Sequence, residues 1–190
     1  RLIKTHFDYD RTPQNPQAKY IFVVRNPKDC VVSFFHHTKG FPQHYDFADG
    51  EFSTYFDLFL QGQVDHGDYF DVVRSWMDHR KDENVLCITY EALRANLPEM
   101  VQRMAHFLQV DDVDQDIMQA IQHHSSLSSM KKDPLRWCSA RDSQFTPFVR
   151  SGKVAGWKEL LSLDQVEHLD TKTKDVFTQE ELRFLGPLYF

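Results

Sequence analysis

A chain of 190 residues with 41% hydrophobic content can bury one good core, so a single domain over residues 1–190 is expected. The net charge of -6, with no run of Lys or Arg longer than a pair, lacks the basic footprint of a protein that binds long nucleic acid, although a single nucleotide needs only a few basic groups. The longest apolar stretches, near 20–24 and 85–88, fall far below the roughly 20 residues of a membrane span.

The cysteines Cys30, Cys87 and Cys138 are odd in number and widely spaced, with two inside hydrophobic segments where a reduced thiol behaves as a small apolar residue. That pattern favours a reducing, cytoplasmic setting. The chain opens Arg1-Leu2-Ile3-Lys4, with neither an initiator Met nor a charged-then-apolar leader, and is read as N-terminally truncated.

In chain order, residues 19–24 are rich in β-branched and aromatic residues and run into Arg25-Asn26-Pro27-Lys28-Asp29, after which residues 30–37 show helical apolar spacing. The segment predicts a strand, a turn and a helix, with Asn26 as N-cap and Pro27 as first helical residue, where its missing N–H costs nothing. Residues 40–50 read as a loop, and residues 56–77 as helical around a break at 65–68. A second strand over 85–89 leads through Tyr90-Glu91 to a helix from about 98 to 108, with Met100, Val101, Met104, Ala105 and Leu108 on one face. A helix over 116–124 follows. Residues 125–156 form a long irregular stretch that suggests a functional covering segment, and 176–185 read as the last helix. Strands alternating with helices imply an α/β fold with a parallel sheet flanked by helices.

Four constellations carry candidate chemistry. At the strand end, Arg25 offers a bidentate fork beside a helix N-terminus holding Lys28 and Ser33, a ready anion site. A surface salt bridge between Arg25 and Asp29 is the competing reading. In Lys4-Thr5-His6, an extended segment places Lys4 and His6 on one face. The imidazole can take a proton from a hydroxyl, and the ammonium can stabilise a transferring group; a frayed terminus is the plain alternative. The third is Phe148-Val149-Arg150-Ser151-Gly152-Lys153, where Gly allows close approach to an anion between cations, unless it is an ordinary basic loop. The last, Ser125-Ser126-Leu127-Ser128-Ser129-Met130, could hold a purine between apolar walls or simply end a helix. The adjacent pairs His36-His37 and His123-His124 diverge on a helix and do not suit a metal.

Taken in order, these pieces resemble the cytosolic sulfotransferase family over nearly the whole chain. IKTH resembles that family's KTH motif, which implies His6 as catalytic base and Lys4 as the cation on the sulfuryl group. YIFVVRNPKDCVVSFFH is similar to its strand, turn and helix for the 3′-phosphate, implying Arg25 and Ser33 as ligands. TYE implies Tyr90 at the adenine. HSSLSSM resembles the adenine-contacting stretch, implicating Ser125, Ser126, Leu127 and Met130. FVRSGKVAGWK resembles the loop that closes over the 3′-phosphate, implicating Phe148, Val149, Arg150, Ser151 and Gly152.

Three departures stand out. Ser151 replaces a Lys in the family's RKG, Leu127 replaces an aromatic residue, and the Gly-rich loop for the 5′-phosphosulfate has no counterpart here. KELLSLDQVE, residues 158–167 from Lys158 to Glu167, partly matches the family's KxxxTVxxxE dimer motif, with Ser162-Leu163 in place of Thr-Val, and implies a homodimer.

The resemblance implies a P-loop nucleotide-transferase-like sulfotransferase fold, present in part. It implies transfer of a sulfuryl group from 3′-phosphoadenosine-5′-phosphosulfate (PAPS) to a hydroxyl or amine of a small acceptor, with 3′-phosphoadenosine 5′-phosphate (PAP) as product and no metal demanded. Sixteen Phe and seven Tyr suit an aromatic-lined acceptor pocket but serve a core equally well. A non-catalytic nucleotide-binding module is the alternative. A nucleotide kinase is disfavoured, because no GxxxxGK[ST] loop and no strand-end Asp for Mg²⁺ are present.

Overall fold

The structure, a computed structural model, describes residues 1–110, 113–133, 136 and 147–186. The β-branched and aromatic run Tyr20–Val24 forms strand β1, and Val85–Thr89 forms strand β2. They pair in parallel, Tyr20 opposite Val85 and Val24 opposite Thr89. A parallel pair needs a long crossover, supplied here by helices α1 (Pro27–Lys39), α2 (Phe52–Leu60) and α3 (Tyr69–Asp78).

Every residue of β2 is buried, as expected of a strand covered on both faces. Val85 and Cys87 pack with Trp76 of α3, while Leu86 and Ile88 pack with Met100. Met100 belongs to α5 (Leu97–Leu108), which follows the short α4 (Tyr90–Ala95). The sequence reading missed α4 and took Tyr90 as a connector; Thr89 caps that helix, its side chain accepting from Ala92 N. On α5 the predicted apolar face holds for Met100, Val101 and Ala105, but Leu108 at the helix end is 43% exposed.

After α5 come α6 (Gln115–Ser125), α7 (Leu127–Lys132), a 3₁₀ turn at Gly156–Glu159, α8 (Leu163–Val176) and α9 (Gln179–Leu185). Helix α8 escaped the sequence reading, and the expected final helix is accordingly shorter. Only Leu169 and Thr173 of α8 are buried, too few apolar residues for a clear stripe. Its start is nevertheless written in the sequence: Ser162 and Gln165 form a reciprocal capping box. Helices α8 and α9 contribute Leu169, Leu182 and Leu185 to the main core, alongside Val31, Val32 and Phe35 of α1, Tyr55, Phe56 and Phe59 of α2, and Phe70 and Val73 of α3.

Glu181 of α9 is clamped by Arg74 of α3, whose Nη1 donates to Oε2 at 2.9 Å. Burial alone would raise this carboxyl, but Arg74 and Thr178 bring it down to about 2.

Candidate active site

The corner between β1 and α1 forms as the sequence predicts. Asn26 accepts from Lys28 N at 2.8 Å through its side chain, and Pro27 opens the helix. From below, the buried Glu91 of α4 accepts from Asn26 N at 2.9 Å, and burial raises its carboxyl above the usual range. From the side, Tyr69 Oη donates to Arg25 O at 2.6 Å. The strand end is thus pinned by three elements.

Arg25 itself lies over the Tyr90 ring, 4.6 Å from guanidinium carbon to centroid, and donates from Nη2 to Lys153 O at 3.3 Å. Its Nε is buried and has no hydrogen-bond partner among the described residues. A buried guanidinium nitrogen left unpaired is costly, so this one has a donor to offer an acceptor beyond the described residues.

Lys28 behaves differently from the sequence reading, and the competing Arg25–Asp29 pair does not form. Lys28 is 1% exposed, its ammonium paired with Asp170 of α8 and 5.2 Å from the Trp157 ring centre; it is a core ion pair and offers no cation to an anion site. Asp29 does not pair with Arg25. Its carboxylate accepts from Ala155 N at 2.7 Å and Trp157 N at 3.0 Å, which ties the loop 148–157 to the first turn of α1.

That loop is also held by Tyr90, whose hydroxyl donates to Gly152 O at 3.2 Å. Gly152 has φ +59°, and a Cβ there would come within 3.6 Å of Leu127 and 3.8 Å of the Tyr90 hydroxyl. Glycine meets the left-handed backbone, while the surrounding space would admit a Cβ at ordinary contact distance. Val149, Arg150 and Ser151 are half-buried. The Arg150 and Lys39 cations add to burial in lowering the pKa of His36 on α1. Lys153, which could replace the missing cation of the loop, pairs instead with Glu159 at 3.2 Å.

Beside the corner opens a cavity of about 400 Å³ whose lining includes Lys4, His6, Arg25, Ser33, Phe34 and Phe148. The N-terminal segment reaches it although it forms no strand or helix of its own. Trp76 Nε1 donates to Phe7 O at 3.1 Å, and Tyr9 N donates to Ser75 Oγ at 3.1 Å, so α3 anchors the chain directly behind His6. The His6 ring stacks on His66 at 4.6 Å; its pKa is lowered by partial burial first, then by the His66 and Lys4 charges. Cys30 also lines the cavity, but burial pushes its thiol up to about 11, which removes it as a thiolate nucleophile near neutral pH.

A family model described as "Sulfotransferase domain" matches residues 1–181. The chain belongs to the sulfotransferase family.

Among relatives, it is 34% identical to mouse sulfotransferase 6B1 over 92% of this chain and 57% of that one. It is 31% identical to mouse sulfotransferase 1B1 over 97% and 63%. Mouse sulfotransferase SULT7A1, solved in complex with PAP, superposes with a TM-score of 0.81 at 29% identity, covering 93% of this chain and 65% of that one. Retinol dehydratase, solved with androsterone and the inactive cofactor PAP, shares the fold at a TM-score of 0.74 and 23% identity, over 87% and 49%. The chain spans less than two thirds of the length of each of these relatives.

In this member of the family the expected residues fall into two groups. Lys4, His6, Arg25, Ser33 and Phe148 line one cavity, with Phe148 against His37, ring centres 5.9 Å apart. Tyr90, Leu127 and Gly152 meet behind Arg25. Ser125 and Ser126 spend their hydroxyls locally: Ser125 donates to Ile121 O at 2.7 Å, and Ser126 donates to His123 O at 2.7 Å while capping α7. Met130 lies half-buried on α7.

Sequence reasoning missed Asp29, Glu91, Trp76, Phe34 and His66 as parts of the site. Asp29 sits in the first turn of a helix, a place where acidic residues are ordinary, so the sequence offered it only as a competing partner for Arg25. His66-Gly67 was read only as a helix break. Cys138 lies outside the described residues; Asp114 caps α6.

Proposed function

We propose that the protein transfers the sulfuryl group of PAPS to a hydroxyl of a small, aromatic acceptor in the cytoplasm, Arg25 and Ser33 holding the 3′-phosphate. The observation that carries this reading is the unpartnered, buried Nε of Arg25, at the mouth of a cavity that also collects Lys4 and His6. The residues suit the donor: a guanidinium fork with a free nitrogen, a left-handed glycine for close backbone approach, and the Tyr90 and Leu127 side chains beside it for a purine. The PAP-bound state of mouse SULT7A1 supports the same choice of nucleotide.

PAPS supplies an activated sulfuryl group with a good leaving group. His6 takes the proton from the acceptor hydroxyl, whose oxygen forms the new bond to sulfur as the bond to the bridging oxygen breaks and that oxygen leaves with PAP. Lys4 neutralises charge on the migrating group and on the departing phosphate. This arrangement requires no metal. Phe34, Phe148 and Tyr69 give the cavity aromatic walls suited to a phenolic ring. For assembly, Leu160 and Leu163, 37% and 87% exposed within 158–167, support a homodimer through that stretch.

The test compares wild type with His6→Ala by a sulfation assay on a phenol and by calorimetry with PAP. Loss of the base lowers turnover by about 10²-fold or more, with PAP affinity kept within about twofold. Because the imidazole pKa is lowered, the base stays neutral further into acid, and the acid limb of the wild-type rate lies below pH 6.5. Turnover retained in the variant refutes the assignment.

A further inference from the structure

The turn between α2 and α3 holds two consecutive residues with positive φ, His66 at 71° and Gly67 at 80°. Glycine adopts that backbone freely, but a side chain there is disfavoured and persists when its surroundings fix it. Ring contacts fix this one. The His66 ring lies nearly parallel to Phe34 of α1, centres 6.1 Å apart and planes 11° off, and it stacks on His6 at 4.6 Å and 25°. Phe34 in turn packs against the main core.

The His6 ring needs such support. Lys4 and His6 lie on an exposed segment, and among the described residues no hydrogen bond restrains the imidazole. The anchors from α3 act at Phe7 and Tyr9, which fixes the backbone behind His6 but leaves its side-chain torsions free. The stack on His66 is the contact that orients the ring plane.

We propose that His66 is a positioning residue for His6, tying the ring of the base through Phe34 to the helix that carries Ser33. This rests on the reading of His6 as the base. The gain is orientation: a base held toward the acceptor side of the cavity loses little freedom when the hydroxyl arrives. Besides the two imidazoles, the charged and titratable groups facing the same space are Lys4 from the N-terminal segment, Asp65 from the turn itself, Cys30 and His37 from α1, Tyr69 from α3 and Arg25 from the end of β1. The lowered pKa of His6, to which His66 contributes after burial, agrees with the contact.

The experiment follows the His6 and His66 ring protons by NMR through a pH titration, in wild type, His66→Asn and His66→Phe, with His6→Ala for assignment. Asn tolerates the left-handed backbone, so H66N removes the ring without disturbing the turn. In H66N the His6 titration moves up toward its ordinary value and its resonances lose the ring-current shift of a stacked neighbour. H66F keeps an aromatic ring, on a left-handed backbone that Phe tolerates less well than His or Asn, and loses the charge repulsion, so its His6 pKa also rises while a ring-current shift remains. In the sulfation assay H66N loses turnover by about tenfold or more with donor KM within about twofold, and H66F recovers most of the loss.

A His6 titration and shifts identical in H66N and wild type overturn the stack. The two readings separate cleanly. If H66N moves the His6 titration but His6→Ala keeps full turnover, the stack stands and the base assignment fails. If His6→Ala abolishes turnover but H66N changes neither shifts nor rate, the base stands and the positioning role fails.

Discussion

The β1–α1 corner and the N-terminal segment face the same cavity, but they are held by different means. At the corner, consecutive residues do most of the work: Asn26 caps, Pro27 starts the helix, and Asp29 accepts two amides from the loop above. At the segment, Lys4 and His6 are exposed and depend on distant partners, Trp76 for the backbone and His66 for the ring. The proposed phosphate site is therefore built into a rigid joint, while the proposed base arrives on a tether fastened at two points. That division suits the proposed chemistry, in which a donor phosphate needs a preformed cradle and a base must allow the acceptor to enter and the product to leave.

If the corner is the rigid half, the largest loss of stability comes from the ion pair beneath it. Asp170→Ala leaves the Lys28 ammonium buried without its carboxylate, 5.2 Å from the Trp157 ring centre, at a cost of about 3 kcal/mol in thermal or urea unfolding. Lys28→Met removes the buried charge itself and fills similar volume, so it costs about 1.5 kcal/mol or less. Equal losses in the two variants contradict the buried-charge account.

A smaller effect is expected at the tether. Trp76→Phe keeps the ring against Phe22 and Tyr9 but removes the Nε1 donor to Phe7 O, which costs about 1 kcal/mol of stability. Its sharper signature is functional: turnover falls while PAP affinity holds. A drop in PAP affinity without a drop in turnover breaks the proposed division of labour.

The same contrast explains what the sequence revealed. The corner was legible because its signals are local; strand, cap, first-turn proline and helix face all lie within residues 20–39, and β2 was legible for the same reason. The stack of His6 on His66 was illegible because it joins residues 60 positions apart, and a His-Gly pair in a turn carries no sign of what its ring will meet. Helix α8 was missed because its polar residues outnumber its buried ones, although the capping box at Ser162 and Gln165 was available. Lys28 misled because a cation beside a helix N-terminus looks like an anion ligand, whereas its burial is decided by Asp170, far along the chain.

The most direct test of the corner is calorimetry of the protein with PAP and with adenosine 5′-phosphate, repeated in Arg25→Ala. Wild type should prefer PAP by tenfold or more, and the variant should lose about 30-fold to 100-fold in PAP affinity, as for roughly 2–3 kcal/mol of charge-assisted hydrogen bonding, with little change toward the plain nucleotide. Equal affinity of wild type for the two nucleotides contradicts a 3′-phosphate grip at Arg25.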